Sequence, residues 1–161
     1  MEKYITLPLN ESDIKELNVG DYVYLSGTIY TARDAAHKRI YESLTQNQKI
    51  PVELKNSIIY YMGPSPAREG RPIGSAGPTT SSRMDKYAPL LMENGMKAMI
   101  GKGKRSKEVV DAIVKNRAVY FAAVGGDADF FCRAIPELET AEKEFTLHGI
   151  GFIAAKHAVL E

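Results

Sequence analysis

Two apolar rhythms alternate along this chain. "DYVYLSGTIYTA", residues 21–32, is dense in β-formers: Tyr22, Val23, Tyr24, Leu25, Ile29 and Tyr30, interrupted by Gly27, predict strand. In "ARDAAHKRIYESLTQ" the period changes. Ala36, Ile40 and Leu44, with Tyr41, form a stripe at helical spacing, and Thr31 followed by Asp34 has the form of a capping box. "NSIIYYMG" predicts a buried strand ending in a turn, and Gly63 to Pro78, with four prolines and four glycines, predicts a long shaped loop. Met84, Tyr87, Ala88 and Leu91 then fall at i, i+3, i+4 and i+7, which predicts a helix whose first turn lies near Ser81 to Asp85 and which Gly95 ends. "MKAMIGKG" reads as a strand entering a glycine turn. "SKEVVDAIVKNR" reads as an amphipathic helix using Val109, Val110, Ile113 and Val114, and "AVYFAAVGG" as a further strand. Such alternation predicts an α/β domain, and 161 residues accommodate one with a real core. The final stretch, "AIPELETAEKEFTLHGIGFIAAKHAVLE", has no legible period.

Composition narrows the class. A chain that is 44% hydrophobic and 25% charged is that of a soluble globular protein, and no apolar run approaches the roughly 18 to 20 residues of a membrane span. "MEKYITLPLN" has no basic segment leading into a long apolar one, so a cytoplasmic location is expected. Lys and Arg number 21 against 20 Asp and Glu; with a net charge of +1 there is no general case for nucleic-acid binding, and any positive site must be local. The single cysteine, Cys132, forms no internal disulfide and cannot by itself bind zinc or an iron–sulfur cluster. It reads as a small buried side chain beside Phe130 and Phe131.

Local positive charge is found in three places. "GSAGPTTSSRMD", residues 74–85, puts Thr79, Thr80 and Arg83 at an expected helix start, where free amide hydrogens, hydroxyls and a guanidinium fork together suit a carboxylate or phosphate. The same stretch also fits a plain capped helix with an exposed arginine. Arg33 and His37 lie four apart on one face of the early helix. Lys102 ends a strand between two glycines, the kind of edge where α/β proteins place ligands. The basic run of Lys102, Lys104, Arg105 and Lys107 otherwise reads as a solvated loop. Neither a phosphate-binding G-x-x-x-x-G-K-[ST] nor a G-x-G-x-x-G motif occurs, and there is no C-x-x-C or H-x-x-x-H metal spacing and no G-x-S-x-G elbow.

Three segments in order, "LSGTIYTARDAAHKRI", "IIYYMGPSPAREGRPIGSAGPTTSSRMDKY" and "MIGKGKRS", resemble the β-subunit, or C-terminal domain, of the iron–sulfur hydro-lyases, class I fumarase and L-tartrate dehydratase. The resemblance runs from about Val19 to Gly126. It implies one domain over 1–161, an α/β fold of the swivelling β/β/α three-layer type, with residues 136–161 as a segment that does not follow the family pattern. It also implies a partner α-subunit whose cysteines hold a [4Fe-4S] cluster with one open iron, and hence a hetero-oligomer without nucleic acid or membrane. The implied reaction is reversible hydration of a small dicarboxylate, fumarate and malate first, tartrate or oxaloacetate next.

By position, the resemblance implies that Arg33, Thr80, Arg83 and Lys102 bind substrate, and that Thr79 or His37 transfers the proton. The chemistry suits these types, because removing a proton from the carbon beside a carboxylate concentrates negative charge there, which fixed cations stabilise. A threonine hydroxyl is a weak base that needs activation, whereas a histidine has an ordinary pKa suited to the task. The rival expectation is a non-catalytic module that binds a dicarboxylate or a phosphate through the same residues.

Overall fold

The computed structural model describes residues 1–50, 52–63, 65–66, 68–69 and 77–123, together with three short strands at 140–141, 144–145 and 155–157. Its centre is a five-stranded sheet. Four strands run parallel in the order β3 (Tyr30–Thr31), β4 (Ile58–Tyr60), β5 (Ala98–Gly101) and β6 (Val119–Ala123), and β9 (Ala155–His157) closes the edge antiparallel to β6. A second, two-stranded sheet pairs β1 (Glu2–Thr6) with β2 (Tyr22–Ser26) in parallel, and β7 (Thr140–Ala141) pairs with β8 (Glu144–Phe145).

Strand periodicity divides the central sheet between two cores. In and just beyond β4, Ile58, Tyr60 and Met62 join a cluster with Val23, Leu25, Ile5 and Leu9 from the two-stranded layer, while Ile59 and Tyr61 join the opposite one. The opposite cluster is made with the helices: α2 (Asp34–Thr45), α3 (Ala88–Glu93) and α4 (Lys107–Asn116). Sheet, sheet and helices therefore stack as three layers of an α/β fold. The central strands, covered on both faces, are apolar at nearly every position, as a parallel sheet requires.

Several local expectations are corrected. "DYVYLSGTIYTA" is two strands in two sheets, because Gly27 takes φ +133° against Leu7 and turns the chain between them. The N-terminal β1 and a one-turn helix α1 (Glu11–Lys15) carry no periodic signal long enough to read. The Thr31–Asp34 capping box does not form: Arg33 is the N-cap of α2 and makes no side-chain cap bond. No α-helix starts at Ser81. Ser81–Met84 is a 3₁₀ turn, and α3 begins only at Ala88, next to Pro89, which fits a first helical turn because it has no N–H to satisfy. The face was nonetheless legible, since Met84, Tyr87, Ala88 and Leu91 are all buried. On α4, Val109 is buried but Val114 is exposed, its place in the core taken by Ala112. Cys132, Phe130 and Phe131, and most of the Gly63–Pro78 loop, lie outside the described residues.

Candidate functional site

The predicted site residues gather where the parallel strands end. Beyond β3 the chain enters α2 through Arg33; beyond β4 it passes Tyr61, Met62 and Gly63; beyond β5 it reaches Lys102 and Gly103. The 77–81 segment crosses these ends and is pinned to two of them. Pro78 bridges Met62, the Thr79 N–H donates to the Tyr61 carbonyl at 2.7 Å, Thr80 bridges Lys102, and the Ser81 N–H donates to the Lys102 carbonyl at 2.9 Å. Arg33 closes the group from the other side. Its side chain lies over Gly63, where a Cβ would collide with Arg33 Cδ and come within 3.3 Å of Nε and Nη1. Arg33, Gly63, Met62, Pro78, Thr79, Thr80 and Lys102 are thus joined by direct contact or chain adjacency along the C-terminal edge of the sheet, the edge at which open α/β sheets bind ligands.

The cations differ in what they already hold. Arg33 and Lys102 are exposed, and their side chains have no hydrogen-bond or ionic partner among the described residues. Arg83 is paired with Asp34, the first residue of α2, through Nε at 3.0 Å from Oδ1 and Nη2 at 2.9 Å from Oδ2. That pair uses one edge of the guanidinium, and among the described residues Nη1 has no partner. The hydroxyl of Thr79, half-buried, makes no hydrogen bond to a described residue, and Thr80 is exposed. The amide hydrogens expected of a helix start are not available as such: the Ser81 N–H is bound to Lys102, and Ser81–Met84 is only a single 3₁₀ turn.

His37 is fully buried. Its ring meets Tyr61 edge-on at 5.0 Å and lies over Tyr87 at 6.2 Å. Nδ1 is 2.9 Å from the Arg33 carbonyl and must carry the hydrogen, since a carbonyl only accepts; the His37 backbone N–H donates to the same oxygen at 2.9 Å. Nε2 is buried and has no hydrogen-bond partner among the described residues. Burial pushes the imidazole pKa down to about 4, and Arg105 adds to the effect, against the opposing pull of the Arg33 carbonyl and of Asp34. The ring is therefore neutral at pH 7 and clamps the backbone carbonyl of Arg33, the residue whose guanidinium is expected to bind substrate.

Two features escape a reading by motif. Gly101 has no room for a side chain, because a Cβ would run into Ser81 Oγ and stand 3.1 Å from the Tyr61 ring; the crossing segment needs a glycine there. Arg105, expected in a solvated basic loop, is instead buried against Asp85 at 2.7 Å. A dense basic run hides it, and contacts with Asp85, twenty positions away, and with Tyr61 and Tyr120 set it apart from its neighbours.

The model of the family described as Fumarase C-terminus matches residues 2–155. The chain belongs to this family. The match extends past Ile135, beyond the motif resemblance. Among relatives, the chain is 39% identical over 140 residues to a Methanocaldococcus jannaschii protein with the provisional name L(+)-tartrate dehydratase subunit beta, covering 85% of this chain and 72% of that one. It is 39% identical over 135 residues to fumarate hydratase 2 of Leishmania major, covering 78% and 24%, and 36% identical over 143 residues to the anaerobic class I fumarate hydratase of Escherichia coli K12, covering 81% and 26%. The chain spans about a quarter of the length of these fumarate hydratases.

A [4Fe-4S] cluster is held by several cysteine thiolates. This fumarase C-terminus chain has one cysteine, and among the described residues no group of three or more His, Cys, Asp or Glu could hold a metal ion. Its described residues do not fit the role of cluster holder. No helix among them is long and apolar enough to cross a membrane.

Proposed function

We propose that this chain is the β part of a hydro-lyase that adds water to, or removes it from, a small dicarboxylic acid, with fumarate and malate the leading pair and tartrate next. The observation that carries the reading is the meeting of Arg33, Thr79, Thr80 and Lys102 on one sheet edge, where two cations and a hydroxyl have no side-chain partner among the described residues. The relatives named as fumarate hydratase and tartrate dehydratase support it. The [4Fe-4S] cluster belongs, on this reading, to a partner α part, which makes the active form a hetero-oligomer.

Within that division, Arg33, Lys102 and the open side of Arg83 bind the two substrate carboxylates. Charge that builds on the carboxylate next to the reacting carbon is met by fixed cations, which need no reorganisation as the reaction proceeds. Thr80 adds a hydroxyl contact. Thr79 moves the proton, its hydroxyl activated by the cations beside it. His37, neutral and enclosed, acts through the Arg33 carbonyl rather than on substrate.

The test is turnover by the anaerobically co-expressed pair of this chain and its α partner on fumarate, malate and both tartrates. Hydration or dehydration by the pair, and none by this chain alone, is expected. Robust activity of this chain alone overturns the division of labour, and tight binding of malate by a pair without turnover favours the non-catalytic dicarboxylate module.

A further inference from the structure

Beneath the sheet edge lies a polar cluster that the proposed chemistry does not use. The Arg105 side chain is only 1% exposed. A buried guanidinium must have most of its donors satisfied. Here Nε donates to Asp85 Oδ1 at 2.7 Å, Nη2 to Tyr61 Oη at 3.3 Å and Nη1 to Met99 Sδ at 3.5 Å, while the rings of Tyr61 and Tyr120 flank its carbon at 5.2 and 5.0 Å. The second Asp85 oxygen accepts the Ser106 N–H at 2.7 Å, at the cap of α4. Tyr120 Oη donates its one hydrogen to the Gly103 carbonyl at 3.0 Å. It must then accept from Ser81 Oγ, 2.8 Å away.

Three ends of this cluster lie beside a site residue. Tyr61 supplies the carbonyl that holds the Thr79 N–H, Ser81 follows Thr80, and Gly103 follows Lys102. Ion pairing for stability alone needs no such placement, since apolar residues of similar volume often serve a core equally well. We propose that Arg105 and Tyr120 are positioning residues of the site: one buried guanidinium–phenol pair sets the Thr79–Ser81 segment against the Lys102–Gly103 turn and so fixes the spacing of hydroxyl and cation. The proposal rests on the reading of Thr79, Thr80 and Lys102 as site residues.

Tyr120→Phe keeps the ring over Arg105 and removes only the hydroxyl; Arg105→Lys keeps the charge and loses the fork. Both are made in the full chain and followed by amide hydrogen exchange, then by steady-state kinetics with the α partner. Expected for each folded variant is exchange at Thr79 and Ser81 at least tenfold faster, with the amides of β5 and β6 within twofold of the parent. KM for the dicarboxylate should rise at least fivefold. The proposal is overturned if Thr79 and Ser81 exchange at the parent rate in Tyr120→Phe, or if β5 and β6 accelerate equally, which marks general destabilisation. Should Arg105→Lys not fold, Tyr120→Phe decides alone. A parent pair without turnover sinks the hydro-lyase reading and leaves the exchange result to judge the positioning role.

Discussion

Arg83 lies side-on against Asp34, with Nε 3.0 Å from Oδ1 and Nη2 2.9 Å from Oδ2, so the start of α2 and the turn after Thr80 are joined across 49 positions of sequence. The pair does two things at once. It orients the guanidinium in a plane, and it leaves the Nη1 side free for a second carboxylate. A fork that had to swing into place would lose side-chain entropy on binding; one already held by Asp34 loses less.

Truncating this arginine separates binding from stability. Both partners are about half exposed, so the pair contributes at most about 1 kcal/mol to folding. Arg83→Ala should leave the denaturant midpoint nearly unchanged. In the reconstituted pair kcat/KM should fall by about 2 to 5 kcal/mol of lost contact, roughly 30-fold to several thousand-fold. Parent values of both kcat and KM would exclude Arg83 as a substrate ligand.

The enclosed histidine makes stability depend on pH. His37 has a pKa of about 4 when folded against an ordinary value of 6.5, so the unfolded chain takes up the proton first as pH falls. The stabilisation is complete above pH 6.5 and is lost progressively as pH drops from 6.5 towards 4, by about 3 kcal/mol for a shift of this size. His37→Phe keeps a ring against Tyr61 and Tyr87 and cannot titrate. The unfolding free energy of the parent minus that of the variant, measured in urea, should fall by about 3 kcal/mol from pH 8 to pH 4. Parallel curves would mean that His37 is not held neutral.

What the sequence makes legible follows from where each signal resides. β4 and β5 announce themselves because a strand covered on both faces must be apolar throughout, and the IIY of "NSIIYYMG" and the AMIG of "MKAMIGKG" are. Arg33, Thr79, Thr80 and Lys102 stand out as candidates because each lies at a strand end or in a turn, where packing places little demand on residue type. The 3₁₀ turn at Ser81 is not legible: a 3.6-residue stripe through Met84, Tyr87, Ala88 and Leu91 records which face is buried, and a 3₁₀ turn leading into a short helix buries the same face. Arg105 is misread, and the burial of His37 is not legible, for a related cause. Their burial is set by Asp85, Tyr120, Tyr61 and Tyr87, partners far along the chain.

Gly101 should tolerate no side chain unless Ser81 gives way. In Gly101→Ala the new methyl meets Ser81 Oγ, which is buried in its bond to Tyr120, and the overpacking should cost about 1 to 3 kcal/mol. Ser81→Ala removes that oxygen and leaves Ser81 Cβ 3.4 Å from the new group. The double variant should therefore be more stable than the sum of the single effects, by about 1 kcal/mol or more in a double-mutant cycle. Strict additivity would show that the two segments do not press on each other.

Proton transfer can be assigned by an isosteric pair at Thr79. Thr79→Val preserves volume and β-branching and deletes the hydroxyl; Thr79→Ser preserves the hydroxyl. The Thr79 N–H bond to Tyr61 survives in both, so the crossing segment keeps its path. A proton-transfer group contributes about 100- to 10,000-fold to the rate, whereas a single neutral hydrogen bond to substrate contributes about 1 kcal/mol, close to fivefold, and acts mainly on KM. In the reconstituted pair Thr79→Val should lower kcat at least 100-fold with KM within threefold, and Thr79→Ser should keep at least a tenth of the parent kcat. A Thr79→Val enzyme whose kcat is within threefold of the parent would give the hydroxyl a binding role and require another group to move the proton. His37, with an unprotonated Nε2 that has no partner among the described residues, is the residue to which the same measurement would then pass.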